Sequence, residues 1–164
     1  MDTREETCAG GVLYRHGEPG IEFLVGEQID WRTKARTVRL AKGHLEPDEP
    51  LERGALREVE EETGRRARIA GLLGEHRYAF DAPAREHRPG GRIEKRVVFF
   101  LMEDLGPHPD GRDDEMEAVH WLDADAACAR LTFENEQAMV RSAAARLAGA
   151  AAGSLAIEPT KARS

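Results

Sequence analysis

The segment from Pro50 to Gly64 constrains this chain more than any other. Leu51, Ala55 and Val59 recur at helical spacing, Pro50 suits the start of a helix and Gly64 its end. A helix here places Glu58, Glu61 and Glu62 at i, i+3 and i+4, so three carboxylates leave one face within reach of each other. On an arbitrary Glu-rich helix such residues form a solvated face. Gathered like charges, however, are stabilised by a cation, and hard oxygen donors suit Mg²⁺ or Mn²⁺, which complete their octahedra with water and substrate phosphate. The spacing therefore points to a metal and phosphate site on one amphipathic helix.

Around this helix the pattern is mixed α/β. Cys8–Tyr14 and Ile21–Val25 are apolar runs on either side of the turn-rich His16–Gly20, which predicts a hairpin. Thr37–Leu40 reads as a short strand entering Gly43. Beyond the helix, Ala67–Leu73, His76–Phe80, Arg96–Met102 and Ala118–Leu122 read as strands, with a charged loop at Asp81–Gly91. Asp123–Leu131 and Glu134–Ala148 read as helices. One domain over residues 1–148 is expected, because 164 residues leave little room for a second core. The Ala/Gly-rich and then Pro/Lys/Arg/Ser stretch 149–164 reads as a flexible tail.

Composition narrows the function. The chain is 40% hydrophobic and 34% charged, which suits a globular domain rather than wholesale disorder. Its 31 acidic against 24 basic residues give a net charge of −7, which disfavours a broad nucleic-acid or acidic-membrane face. No apolar run is long enough to span a bilayer, and the acidic start Met1–Glu6 lacks the apolar core of a secretory signal, so a cytoplasmic protein is expected. Cys8 and Cys128 form no CxxC pair and are expected as buried free thiols.

Gly43, Glu49, Arg57-Glu58, Glu61-Glu62 and Gly64 reproduce the spacing G-x5-E-x7-R-E-U-x-E-E-x-G-U, with Arg65 in place of the last apolar residue. Chance agreement of seven fixed residue types at one start is on the order of 10⁻⁹. The stretch resembles the box of the Nudix hydrolases. Cys8–Val12, Glu115–Trp121 and Leu131–Met139 extend the resemblance over about residues 8–148. It implies an α/β/α sandwich with a mixed central sheet. It also implies a Mg²⁺-dependent hydrolase, with Mn²⁺ a possible substitute, that cuts a nucleoside diphosphate linked to another group. Glu58, Glu61 and Glu62 match the family's metal-holding carboxylates, and the carbonyl of Gly43 matches a further ligand. Arg57 and Glu49 match an ion pair that braces loop and helix. Arg65 would pack through its aliphatic stem.

The reaction also needs a carboxylate to accept the proton of the attacking water. Glu61 is the first choice, since it could serve metal and water together, and Glu115 on the Asp113–Glu117 loop is the second. For substrate, Lys42-Gly43-His44 resembles the run in relatives that cleave dinucleoside polyphosphates, so Lys42, His44 and Arg39 are expected at phosphates. Ala41 and Arg39 stand where Pro and an aromatic are frequent. Tyr78 and Lys95 are expected on the opposite wall, Tyr78 stacking on a base and Lys95 meeting phosphate. Trp121 reads as a core residue and Trp31 as core or rim.

Diadenosine polyphosphates are thus the preferred substrate from the sequence. Cleansing of 8-oxo-dGTP-type nucleotides, ADP-ribose hydrolysis and diphosphoinositol polyphosphate hydrolysis are alternatives. So are mRNA decapping, which the acidic charge does not favour, and a non-catalytic nucleotide-sensing module, which the intact carboxylates argue against. The resemblance also makes a homodimer one expectation.

Overall fold

The computed structural model describes residues 3–30, 33–87, 89–113 and 116–163, with side chains described as far as residue 150. Strands β1 (Thr3–His16) and β2 (Ile21–Ile29) form the expected hairpin, with Tyr14 opposite Phe23. They are followed by β3 (Arg36–Arg39), β4 (Ala41–His44), α1 (Leu51–Thr63), β5 (Arg65–Ala82), β6 (Gly91–Pro107), β7 (Ala118–Leu122), α2 (Ala124–Arg130) and α3 (Glu134–Arg163).

The seven strands make one mixed sheet in the order β3-β2-β1-β6-β5, with β4 paired to β1 and β7 to β2. Among the described residues only β1 and β6 pair in parallel, with Cys8 opposite Val97 and Val12 opposite Leu101. Strand alternation sorts neighbouring residues to opposite faces. Val12, Phe23, Val97 and Phe99 face α2 and α3, where Ala127, Val140 and Ala143 close the core. Leu13, Leu24, Val98 and Met102 face α1 and meet Ala55 and Val59, both fully buried. Each large apolar side chain so buried contributes about 1.5–3 kcal/mol. The result is the α/β/α sandwich with a mixed sheet that the sequence predicts. No helix among the described residues is long and apolar enough to cross a membrane.

Several local expectations change. Ala67–Leu73 and His76–Phe80 are one strand, β5, which keeps its pairing with β6 through register shifts at Arg66/Ala67, Ile69/Gly71 and Leu72/Gly74, the last of them next to the gap between the two expected strands. The short strand expected at Thr37–Leu40 is β3, and a second strand not expected, β4, follows it, because the chain leaves β2 after Arg39 and joins β1 from Ala41. Trp121 is half-buried at the edge of the α1-side core, with the guanidinium of Arg15 4.2 Å from its ring. Cys8 and Cys128 are free and buried, and burial pushes both thiols up. Trp31 lies outside the described residues.

Candidate active site

Helix α1 begins after Pro50, which sits at the N-cap without a capping side chain, and ends at Gly64 in the left-handed conformation, φ 70°. That conformation strains any residue with a Cβ, so Gly64 is a physical stop, and its N–H closes on the carbonyl of Glu60. Arg65 next to it does not merely cover apolar surface. It forms a two-bond pair with Asp104 at 2.8 and 2.7 Å, which joins β5 to β6 beside the helix end.

Arg57 is the hub of the loop and helix. Its Nε and Nη2 donate to the two oxygens of Glu49 at 2.8 and 2.9 Å, and Nη2 also donates to the carbonyl of His44 at 3.0 Å. Glu49 in turn accepts the N–H of Glu46, which closes the loop on itself. The Arg57 hydrogen bonds, then that backbone bond, lower the Glu49 carboxyl to about 2. The same pair pushes Arg57 further above its ordinary range.

The three box carboxylates occupy different environments. Glu58 is nearly buried and lies against Gly43, where an added Cβ would meet its carboxylate carbon at 2.2 Å. Glycine is thus what lets the loop backbone approach that carboxylate. Glu62 is 1% exposed, and its Oε2 accepts the backbone N–H of Lys42 at 3.1 Å. Its Oε1 faces Gln28 Nε2 at 3.5 Å. Glu61 is half exposed at the outer side of the helix. The predicted convergence is therefore partial: Glu58 and Glu61 share Arg57 Nη1, at 2.9 and 3.3 Å, while Glu62 turns toward β4. Among the described residues no group of three acidic, His or Cys side chains is gathered closely enough to hold a metal ion as the side chains stand. The donor chemistry still fits a hard divalent cation, because every candidate atom is an anionic or carbonyl oxygen and one cationic nitrogen already bridges two of the carboxylates.

The other candidates line the α3-side mouth of the sheet. A cleft of 620 Å³ contains Arg39, Lys42, Gly43, His44, Glu58 and Phe133. Burial, then the neighbouring charge of Arg39, pushes the Lys42 ammonium down. His44 is exposed, with Nε2 3.2 Å from Glu6. Arg39 is engaged by Glu136 at 3.0 and 2.7 Å and lies 4.4 Å from the ring centre of Phe133. Tyr78 and Lys95 are cross-strand partners on the adjoining wall. There His76, Tyr78 and Phe80 form a stacked row with centroids 6.0 and 6.1 Å apart, and Lys95 Nζ lies 6.0 Å from the Phe80 ring. A second cleft of 830 Å³, which includes His44, Phe80, Arg85 and Lys95, continues from the first. Glu115 lies outside the described residues.

Phe133, Phe80, Glu6 and Glu136 are neighbours of the site that the sequence reading did not select. For Glu136 there was a signal: it precedes Val140 and Ala143 by four and seven residues on the buried stripe of α3, where an acidic residue needs a partner.

A NUDIX domain family model matches residues 6–142. The chain is 33% identical over 148 residues to the "Putative mutator protein MutT4" of Mycobacterium tuberculosis, which spans 87% of this chain and 56% of that protein. It is 29% identical over 150 residues to an 8-oxo-(d)GTP phosphatase of Mycolicibacterium smegmatis, covering 85% of this chain and 43% of the relative. An RNA pyrophosphohydrolase of Sphingopyxis alaskensis is 30% identical over 128 residues, covering 71% and 76%. The chain thus spans about half the length of the first two relatives. Among solved structures, a NUDIX hydrolase from Nitrosomonas europaea has a TM-score of 0.63 at 20% identity, covering 87% of this chain and 90% of that one. A C. elegans Ap4A hydrolase has 0.61 at 22%, covering 88% and 99%.

Proposed function

This chain belongs to the NUDIX family, and we propose that it hydrolyses the pyrophosphate bond of a nucleoside polyphosphate with Mg²⁺, or Mn²⁺ in its place. The observation that carries the proposal is the packing of Glu58 on Gly43, with Glu62 accepting the backbone N–H of the preceding Lys42, which fixes anionic oxygens beside a cation-lined cleft. Residues 1–148 form the domain proposed to carry the activity.

Glu58, Glu61, Glu62 and the Gly43 carbonyl would hold the cation, which when bound neutralises phosphate charge and lowers the pKa of water. The chain's own residues supply the rest. Arg57 keeps the loop against α1 through Glu49 and the His44 carbonyl. Glu61, the most exposed of the three carboxylates, accepts the proton as a water oxygen bonds to phosphorus and the bridging P–O bond breaks toward the leaving phosphate. The leaving phosphate oxygen then takes up a proton. Glu115 is the alternative acceptor. Lys42, which lines the cleft beside Gly43, offsets the leaving charge.

For the substrate, we propose an oxidised purine nucleoside triphosphate of the 8-oxo-dGTP type. This reverses the order of preference drawn from Lys42-Gly43-His44. The name of one relative, the 8-oxo-(d)GTP phosphatase, supports it, as does a cleft in which an exposed ring, Phe133, adjoins the phosphate-side residues. Diadenosine polyphosphates stand as the second reading. The continuation of the cleft from His44 to Lys95 and Phe80 favours it by offering a lane for a longer anion. Catalytic efficiencies on one preparation for 8-oxo-dGTP, diadenosine tetraphosphate, ADP-ribose and a diphosphoinositol polyphosphate test the choice. The first is expected to lead, and a clear lead by any other replaces it.

A further inference from the structure

Two carboxylates are fully buried among the described residues, Glu62 and Glu136, and they grip the same short segment. Glu62 reaches it from α1 and takes the Lys42 N–H, while Glu136 reaches it from the first turn of α3 and takes the Leu40 N–H at 2.9 Å. Leu40 is the residue at which the chain stops pairing with β2 and starts pairing with β1. Its amide therefore falls between two ladders, and at 1% exposure no solvent can satisfy it. Oε1 of Glu136 does. Oε2 binds Nε and Nη2 of Arg39, so both oxygens of a carboxylate that would otherwise be costly to bury are occupied. The guanidinium so held lies 4.4 Å from the ring centre of Phe133, and both side chains line the cleft with Lys42 and Glu58.

We infer that Glu136 is a positioning residue, which fixes the crossover at Leu40 and the Arg39 guanidinium on Phe133, and so sets the wall that substrate meets beside Lys42 and Gly43. The inference rests on reading this cleft as the substrate site. It separates two jobs by oxygen: one sets backbone next to the α1 carboxylates, and the other orients a side chain in the cleft.

Glu136→Gln can keep an acceptor for Leu40 but presents N–H groups to Arg39, whereas Glu136→Ala loses both contacts. Losing one charged contact in a cleft is worth about tenfold in binding. Glu136→Gln should raise the nucleotide KM by about that factor and leave kcat within about threefold. Arg39→Met should reproduce this, and adding it to Glu136→Gln should change little further. Glu136→Ala should show the same KM rise, a kcat lower by about tenfold or more, and faster amide hydrogen exchange at Leu40 and Lys42 than in Glu136→Gln. Unchanged KM in Glu136→Gln, or additive effects in the double variant, would overturn the inference. So would a Glu136→Ala protein altered only in Tm. Should Glu136→Ala not fold, the Glu136→Gln and Arg39→Met pair decides alone. If the wild type turns over no nucleotide, the hydrolase reading fails, while exchange at Leu40 and Lys42 still reports whether Glu136 holds the crossover.

Discussion

Glu49→Gln removes the carboxylate that Arg57 grips at 2.8 and 2.9 Å. Those bonds first, and the Glu46 N–H second, bring the Glu49 carboxyl from its usual 4.5 to about 2. Fully expressed, that gap corresponds to about 3 kcal/mol at about 1.4 kcal/mol per tenfold. Solvent reaches the pair through Arg57, whose side chain is 23% exposed, and screening reduces such pairs to about 1–2 kcal/mol. In a domain of this size 1 kcal/mol moves Tm by about 2–4 °C, so Glu49→Gln should lower Tm by about 3–6 °C at pH 7. The sign with pH follows from a folded pKa below the unfolded one. The unfolded carboxyl binds its proton near 4.5 and the folded one only near 2, so the stabilisation is complete at neutral pH and is lost as pH falls through that window. At pH 3 about two fifths of it remains. Scanning calorimetry of wild type and variant at pH 7, 4 and 3 measures this directly. A Tm difference below about 1 °C at pH 7, or one as large at pH 3 as at pH 7, would refute the reasoning.

Gly43→Ala should fold with a Tm within about 2 °C of wild type, since the clashing atoms are the movable end of Glu58, yet lower kcat by about tenfold or more because that carboxylate must shift; thermal melts and steady-state kinetics check both. Glu61→Gln should slow turnover more than Glu115→Gln at matched metal saturation if Glu61 accepts the water proton, and a slower Glu115→Gln enzyme assigns the base to the distal loop. Lys95→Ala should raise the KM for diadenosine tetraphosphate by about tenfold while changing that for 8-oxo-dGTP by less than about twofold, because Lys95 lies in the outer cleft; equal effects on both would place it at a shared phosphate.

Helix α1 was legible because three independent signals agree on it: the Leu51, Ala55, Val59 period, Pro50 before it, and Gly64 at an angle only glycine accepts readily. Ala118–Leu122 was legible as β7 from its short apolar run, and it holds its place against β2. The β3 and β4 crossover was not, because what divides it is the carboxylate of Glu136 reaching Leu40 from 96 positions away in sequence. The aromatic row was legible in part: alternation along the expected strand His76–Phe80 already puts His76, Tyr78 and Phe80 on one face, but the pairing with β6 that sets Lys95 opposite Tyr78 is a long-range contact. In the box, spacing located Glu58, Glu61 and Glu62 on α1 but not their orientations. Gly43 places Glu58 and the Lys42 amide draws in Glu62, both tertiary contacts, while Arg57 bridges Glu58 to Glu61 along the helix itself.

The central claim is that the α1 carboxylates and a divalent cation together drive pyrophosphate hydrolysis. Its most direct test is the rate of 8-oxo-dGTP hydrolysis, with diadenosine tetraphosphate in parallel, against free Mg²⁺ for wild type and Glu62→Gln. The account predicts no turnover after exhaustive chelation and recovery with added Mg²⁺. It predicts for Glu62→Gln a rate lower by about a hundredfold or more, with the fold retained by circular dichroism. Undiminished wild-type turnover after chelation, or full turnover by Glu62→Gln at saturating Mg²⁺, would contradict it.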